Sequence, residues 1–285
     1  MTMVMSMRPG NCRADPRGSA QYCTKLFMGP WVGEFGHEIM AVGPMRFSSR
    51  SYRHVVACSR PGSAALYADF ANEFVGHTIE CEGMCAGTTT ETRPALDTLM
   101  RWVPADMERH MPREYRSSMD AEWYRYGRRR SEYEGAVVIH ARARQGHHPE
   151  RNWPAPLWNR LARLLFHRDL VDRIICIGLK RNSLAIEGAL DMRDAPLAEQ
   201  MDILASARFT MGPSSGPMHL AQHCGCPVLV WCGGGQQERH ETQSRYQRHW
   251  NPHEAPVHAH RYASWQPSFE TVQQWVEEFI AWLEK

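Results

Sequence analysis

Lysine is nearly missing from this sequence. Of 33 Lys and Arg residues, only Lys25, Lys180 and Lys285 are lysine. The cations are therefore almost all guanidiniums, which grip phosphates and carboxylates through a planar fork. A bias that runs through the whole chain is read as coding composition and marks no site by itself. The 31 acidic residues nearly balance the basic ones, for a net charge of +2, which excludes a chain-wide nucleic-acid-binding face. No Asp-x-Asp occurs, so there is no ready carboxylate clamp for a divalent metal, and none is expected. No Cys-x-x-Cys occurs either: the nine cysteines are scattered, with Cys81/Cys85 and Cys224/Cys226 the close pairs. A four-ligand zinc site needs two correctly spaced pairs, and buried free thiols in a reducing cytoplasm are the better reading. No apolar run approaches the ~20 residues of a membrane helix. The first residues lack the apolar centre of a signal peptide. A cytoplasmic protein, or one peripheral at the membrane, is expected.

What is present is an ordinary core, 43% hydrophobic over 285 residues, enough for one large or two small domains. Residues 1–23, rich in Met, Arg, Gly and Pro, read as a mobile tail. Strand-like runs at 24–30, 54–59 and 75–80 alternate with helices at 64–73 and 96–103. From 104 to 134 the pattern weakens. That segment reads as a solvated linker helix in preference to an acceptor surface built on Arg128, Arg129, Arg130 and the nearby tyrosines. The rhythm resumes with strands at 136–141, 173–178, 207–212 and 227–231 and helices at 157–167, 197–204 and 217–224. Residues 190–194 form a short further segment. The polar stretch 236–249 reads as a loop. Ser268 caps a last helix with Phe269, Val272, Val276, Phe279, Ile280 and Leu283 on one face. Strands alternating with helices indicate α/β units with parallel sheets. The expected division is a first domain at 24–134, a second at 135–264 and a terminal helix at 265–285.

The most informative stretch is LAEQMDILASARFTMGPSSGPMHLAQHCGCPVLVWCGGG, residues 197–235. It reads helix, strand, loop, helix, strand, loop. Gly212-Pro213-Ser214-Ser215-Gly216 breaks regular structure, Ser214 or Ser215 is a natural N-cap, and Pro217 suits a first helical turn. A strand feeding a Ser/Gly turn that opens a helix aims backbone N–H groups, a positive dipole end and two hydroxyls at one spot. The alternative is an ordinary serine-capped turn. Three other loops follow strand ends, where open α/β sheets bind ligands. Arg142 and Arg144 follow the 136–141 strand and share a side if the backbone stays extended, with Arg151 beyond them. Gly178, Leu179 and Lys180 follow the 173–178 strand, in a place suited to base or ribose. Trp31-Val32-Gly33-Glu34-Phe35-Gly36-His37-Glu38 follows the first strand, with two carboxylates and an imidazole close together. The bland reading makes Glu34 and Glu38 helix N-terminal residues favoured by the dipole and His37 a solvated side chain.

The run Gly212-Pro213-Ser214-Ser215-Gly216-Pro217-Met218-His219-Leu220-Ala221, then Gly225-Cys226-Pro227-Val228, resembles the donor-site segment of the lipopolysaccharide (ADP-heptose) heptosyltransferases and their relatives, which are inverting GT-B glycosyltransferases. Their segment reads Asp-Ser/Thr-Gly-Pro-x-His-Leu-Ala, followed by a small-residue turn and a proline. Ser214 stands where the family has Asp. Arg151-Asn152-Trp153-Pro154, with Trp158 after it, resembles the family's basic-x-Trp-Pro segment, whose basic residue contacts donor phosphate. The loop holding Gly33 and Glu38 resembles the Gly-Asp loop after the family's first strand, and Glu34 falls nearest its acidic residue. The resemblance is concentrated in 135–262.

The resemblance implies an α/β chain of GT-B type, two Rossmann-like domains facing across a cleft. The last helix would pack back on the first domain and 236–249 would line the cleft. It implies an inverting glycosyltransferase, a hexosyl- or heptosyl-transferring enzyme. The sugar would pass from a nucleotide-sugar to an acceptor hydroxyl on a glycan or glycolipid, with no cofactor beyond that co-substrate. Donor phosphate would meet Arg142, Arg144, Arg151, Ser214, Ser215, Gly216 and His219. Base and ribose would meet Gly178, Leu179, Lys180 and Met192, and Glu34, His37 or Glu38 would act on the acceptor. The alternatives are a glycosyltransferase acting on hydroxymethylated bases in DNA, a nucleotide-sugar epimerase and a non-catalytic nucleotide-binding module.

Overall fold

The computed structural model describes residues 5–7, 24–79, 92–112, 119–146 and 148–285. Cys81, Cys85 and His147, and most of the 1–23 segment expected to be mobile, lie outside the described residues. The chain divides into two compact units, Met1–Tyr124 and Arg125–Lys285. The division precedes the one expected at 134/135, because the intervening backbone is bound by second-unit groups. Tyr126 N–H donates to His223 O at 2.9 Å, Arg128 N–H to Asp202 Oδ1 at 2.8 Å and Arg130 N–H to Ser206 Oγ at 2.7 Å. Donors spent in this way cannot build a helix. The linker helix expected over 104–134 is absent from the described residues, which carry a strand and a 3-10 turn, Ser131–Tyr133, in its place.

The first unit contains β1 (Met5–Met7), β2 (Lys25–Met28), α1 (Phe35–Ser49), β3 (His54–Ser59), β4 (Glu73–Gly76), α2 (Arg93–Arg101) and β5 (Glu108–His110). Its sheet order is β1-β4-β3-β2-β5. The last four strands are parallel and β1 lies antiparallel beside β4, so Met5–Met7 is an edge strand and not tail. Phe27, Val56, Cys58 and Val75 from the strands pack with Leu99, Val103 and Met107. The helix expected at 64–73 shrinks to a 3-10 turn, Pro61–Leu66. Asn72 draws the chain back onto β3 first, its N–H donating to Val55 O at 2.8 Å and its Oδ1 accepting from Val55 N–H at 2.7 Å. β5 was not foreseen: Glu-Arg-His is exposed throughout and shows no apolar alternation to read.

The second unit contains β6 (Val137–Ile139), α3 (Ala155–His167), β7 (Ile174–Cys176), β8 (Leu190–Asp191), α4 (Leu197–Ser206), β9 (Phe209–Pro213), α5 (Gly216–His223), β10 (Val228–Cys232), α6 (Gln236–Ser244), β11 (Val257–Arg261) and α7 (Phe269–Leu283). All six strands are parallel, in the order β11-β10-β9-β6-β7-β8. This is the order of a doubly wound dinucleotide-binding sheet. Its near-continuous apolar strands are what burial on both faces demands. Trp153, Trp158 and Trp231 meet at the centre of one face, with ring centroids 4.9–5.9 Å apart.

The stretch 236–249 is not a loop: α6 runs into a π-turn, Arg245–His249. β11 escaped sequence reading because its packing rings are imidazoles. His258 lies 4.7 Å from Trp282 and His260 stacks on Trp275 at 4.3 Å. α7 starts as expected, with Thr271 N–H donating to Ser268 Oγ at 3.2 Å. Phe269, Val272, Val276, Phe279 and Ile280 are buried in the second unit's core, where Phe279 meets Phe209 edge-on at 5.4 Å. The sheet face beside α3 leaves an apolar stripe to cover, and α7 is the element that covers it. Among the described residues no helix is long and apolar enough to cross a membrane.

This packing makes α7 part of the second unit's stability. Phe279→Ala should destabilise that unit by about 3–5 kcal/mol, the usual cost of truncating a buried phenylalanine, as read from urea unfolding. A loss below about 1 kcal/mol would show that α7 is not docked there.

Candidate functional site

In the second sheet the chain runs from β6 outward to β8, then returns to place β9 on the other side of β6. Order reverses between β6 and β9, and ligands bind at such switch points, beyond the carboxyl ends of the strands. The residues just past those two strands are His140 and Arg142 on one side and Ser214 and Ser215 on the other. Ser215 occupies the N-cap position of α5 in extended conformation, yet its hydroxyl makes no cap bond. It pairs with His140 Nδ1 at 3.0 Å instead. On the far side Tyr246, from the π-turn, accepts the Ser215 N–H at 3.2 Å and lies 3.4 Å from Ser214 Oγ. The helix start is thus held between an imidazole and a phenol. Pro217 has no N–H, and Met218 and His219 donate to Ser215 O, so the backbone donor left at this end is Gly216.

His140 was not anticipated as a site residue. Its signal was weak: one polar side chain closing an apolar strand. It is buried, and desolvation with the nearby Arg142 charge pushes its pKa down to about 3. Its ring needs the glycine that follows β7. Gly178 has φ +107°, and a Cβ there would lie 2.8 Å from His140 Cδ2.

The arginines divide by role. Arg142 is buried, with Nη1 donating to His148 O at 2.8 Å and to Asn152 Oδ1 at 2.5 Å. Asn152 also accepts the Arg144 N–H at 3.1 Å and donates to Arg144 O at 2.8 Å. Through Nη1, Arg142 therefore braces the loop that carries Arg144. Arg144 is half-buried. Arg151 lies 4.3 Å over the Trp265 ring and donates to Glu238 Oε1 at 2.7 Å. His219, also expected at donor phosphate, is buried and stacks on Tyr246 at 4.1 Å with Trp250 at 4.6 Å edge-on. Its ring is a packing surface for the tyrosine that holds the serine turn. Beyond β7, Gly178 N–H donates to Gln200 Oε1 at 3.0 Å and Lys180 N–H to Asp194 Oδ1 at 2.9 Å. Leu179 is 44% exposed, and Met192 N–H donates to Cys176 O at 2.9 Å. These four border the strand ends of β7 and β8.

In the first unit the order reverses between β2 and β5, and the loop carrying Glu34 leaves that point. Trp31, fully buried, ties the loop down: its N–H donates to Cys58 O at 2.9 Å and His77 Nε2–H donates to its carbonyl at 2.8 Å. Glu34 is the N-cap of α1 and partly exposed, but its carboxylate does not cap. Glu38 differs. It is fully buried and accepts from Ser59, from Arg60 at 2.5 Å, from Ser63 at 2.8 Å and from Tyr67 at 2.9 Å. A carboxylate with four donors on it has no lone pair left for a substrate proton. These bonds pin α1 to the loop after β3. His37 is buried in the same first turn.

A cavity of about 550 Å³ in the first unit is lined by Phe27, Val56, Val75, Leu99 and Met107. Lys25, His54 and Glu73, the first residues of β2, β3 and β4, also line it, so it opens at the amino ends, away from the switch point. Desolvation pushes the Cys58 thiol up to about 12 and the Cys176 thiol up to about 11, which leaves little thiolate.

Burial makes the fold acid-sensitive. His140 at about 3, His260 at about 4 and His77 are all held below the ordinary value of 6.5, chiefly by desolvation. The unfolded chain binds these protons as pH falls through 6.5, while the folded chain does not, so stability is full above 6.5 and declines below it. For His140 alone the slope approaches about 1.4 kcal/mol per pH unit between 6 and 4. Tm should be level from pH 7 to 8 and fall steadily from 6.5 to 4.5, less steeply in His140→Asn. A level profile to pH 4.5 would contradict the burial of neutral imidazoles.

No known family model matches this sequence, and no curated protein matches it. Solved structures do. A glycosyl transferase family 9 protein from Veillonella parvula superposes with a TM-score of 0.55 at 11% identity, covering 92% of this chain and 99% of that one. E. coli ADP-heptose LPS heptosyltransferase II gives 0.58 at 10% identity, with 92% and 100% covered. E. coli heptosyltransferase WaaC with ADP-2-deoxy-2-fluoro heptose gives 0.57 at 12% identity, with 90% and 99% covered. At such identities the likeness is one of fold, and it is the GT-B fold of two Rossmann-like units that the sheet orders describe.

Proposed function

We propose that this protein is a glycosyltransferase that moves a sugar from a nucleoside-diphosphate sugar to an acceptor hydroxyl, with inversion and without a metal. The observation that carries the reading is the Ser214-Ser215-Gly216 helix start at the β6/β9 switch point, bordered by the arginine loop after β6. Two of the similar structures support it: WaaC was solved with ADP and with ADP-2-deoxy-2-fluoro heptose.

The chemistry follows from charge. As the anomeric carbon–oxygen bond breaks, negative charge grows on the departing diphosphate. The Gly216 N–H, the positive end of α5, the Ser215 hydroxyl and the Arg144 and Arg151 guanidiniums would stabilise that charge, each a fixed dipole or cation needing little reorganisation. With no Asp-x-Asp in the sequence, these groups take the place of a metal clamp. The acceptor oxygen attacks the anomeric carbon from the opposite face and its proton passes to Glu34, the partly exposed carboxylate at the start of α1. One in-line displacement inverts the configuration. Leu179, Lys180 and Met192 border the place for base and ribose. A cytoplasmic setting, where nucleotide-sugars are made, suits this chemistry.

Calorimetry against ADP, GDP, UDP and CDP should show at least one bound equally well with and without EDTA. Arg144→Ala should weaken it by about 1–3 kcal/mol, the scale of a lost charged hydrogen bond. A strict Mg²⁺ or Mn²⁺ requirement would overturn the metal-free mechanism.

Glu34→Gln preserves shape while removing basicity. It should lower turnover by about 10²–10⁴-fold, with donor affinity and Tm nearly unchanged. His37→Asn serves as the parallel control. Turnover lost in His37→Asn and retained in Glu34→Gln would transfer the base role to His37.

A further inference from the structure

We infer that His140 is a positioning residue for donor binding: its imidazole carries a proton on Nδ1 and donates it to Ser215 Oγ, so that the serine's own proton is directed at a diphosphate oxygen. This rests on the phosphate reading above and adds to it the group that makes the serine a donor.

The argument starts from the hydroxyl. A serine at an N-cap ordinarily accepts a backbone N–H of the first turn, and Ser215 does not. Its oxygen lies 3.0 Å from His140 Nδ1. A hydroxyl has one proton to give. If it gave that proton to the imidazole, it would meet an anion with lone pairs only. If it accepts from Nδ1–H, its proton stays available, and the accepted bond polarises it. A neutral ring is one donor and one acceptor, so the choice of tautomer sets the polarity of the serine.

The surroundings keep the ring neutral and fixed. His140 is buried, its own backbone N–H donates to Met211 O at 3.2 Å, and the bare Gly178 backbone passes against its Cδ2 edge. The Arg142 charge two residues on disfavours a second proton. Tyr246 holds the serine backbone from the other side, through the Ser215 N–H at 3.2 Å. Neither side of the turn is left to rotate, so the hydroxyl oxygen is fixed before any ligand arrives.

The test is a double-mutant cycle on nucleoside-diphosphate binding, with ADP, GDP, UDP and CDP as probes. His140→Leu and Ser215→Ala should each weaken the bound nucleotide by about 3–10-fold, the worth of one hydrogen bond. The double variant should be no weaker than either single one, because each removes the same bond. His140→Asn, whose amide N–H reaches the Nδ1 position, should stay within about twofold of wild type. Where His140→Leu fails to fold, His140→Gln replaces it in the cycle, since its longer amide reaches the Nε2 position and leaves Nδ1 empty. Nitrogen-15 NMR of the ligand-free protein should find the His140 proton on Nδ1. Binding of none of the four nucleotides by wild type would overturn the phosphate reading and this inference with it. Binding by wild type with additive losses, an Asn variant as weak as Leu, or a proton on Nε2 would overturn the inference alone.

Discussion

The reversal of strand order between β6 and β9 is the constraint on which the second unit's chemistry depends. Crossovers leave β6 toward β7 on one side and reach β9 on the other, so the loops past these two strands diverge and open a crevice at their carboxyl ends. The polar groups that hold the serine turn lie at the rim of that crevice. His140 and Arg142 come from one strand end and Ser214 and Ser215 from the other, with Tyr246 closing against the serine turn. The helix that starts there is short, and most of its first-turn donors are already used within the protein. What the turn offers an anion is therefore a small set of aimed groups, and the cost of aiming them is met by burial elsewhere.

Several charged groups that look reactive in the sequence turn out to be structural supports. Glu38 gathers Ser59, Arg60, Ser63 and Tyr67 on one buried carboxylate, which binds α1 to the loop following β3. Arg142 turns inward to brace its own loop through His148 and Asn152. A buried ion must satisfy its hydrogen-bonding capacity inside the protein, and these two do so by tying loops together. Their neighbours Glu34 and Arg144 remain partly exposed on the loops these anchors hold. The same division recurs in both units: the more buried of two like charges fixes the loop, and the less buried one is left at its surface.

Much of the architecture was legible from the chain alone. The apolar β-rich runs around Val137, Ile175, Phe209 and Val228 announced parallel strands because burial on both faces demands them. The Pro-Ser-Ser-Gly-Pro turn announced a helix start, because proline and serine have fixed preferences at such starts. Where those local preferences were absent, the sequence was silent. β5 is polar and exposed, held largely by backbone pairing to β2. β11 packs imidazoles on α7 in place of aliphatic side chains.

What the sequence by itself determined is the alternation of strands and helices, the two loops proposed to carry the chemistry and the residue types within them. Only the tertiary structure decided which of those residues is spent internally, that α7 belongs to the second unit and that His140 pairs with Ser215. The reason is physical. Helix starts, turns and amphipathic faces are set by neighbours a few residues apart, so they are written locally. The desolvation of Glu38, the inward turn of Arg142 and the meeting of two side chains 75 residues apart depend on which strand ends the crossovers bring together.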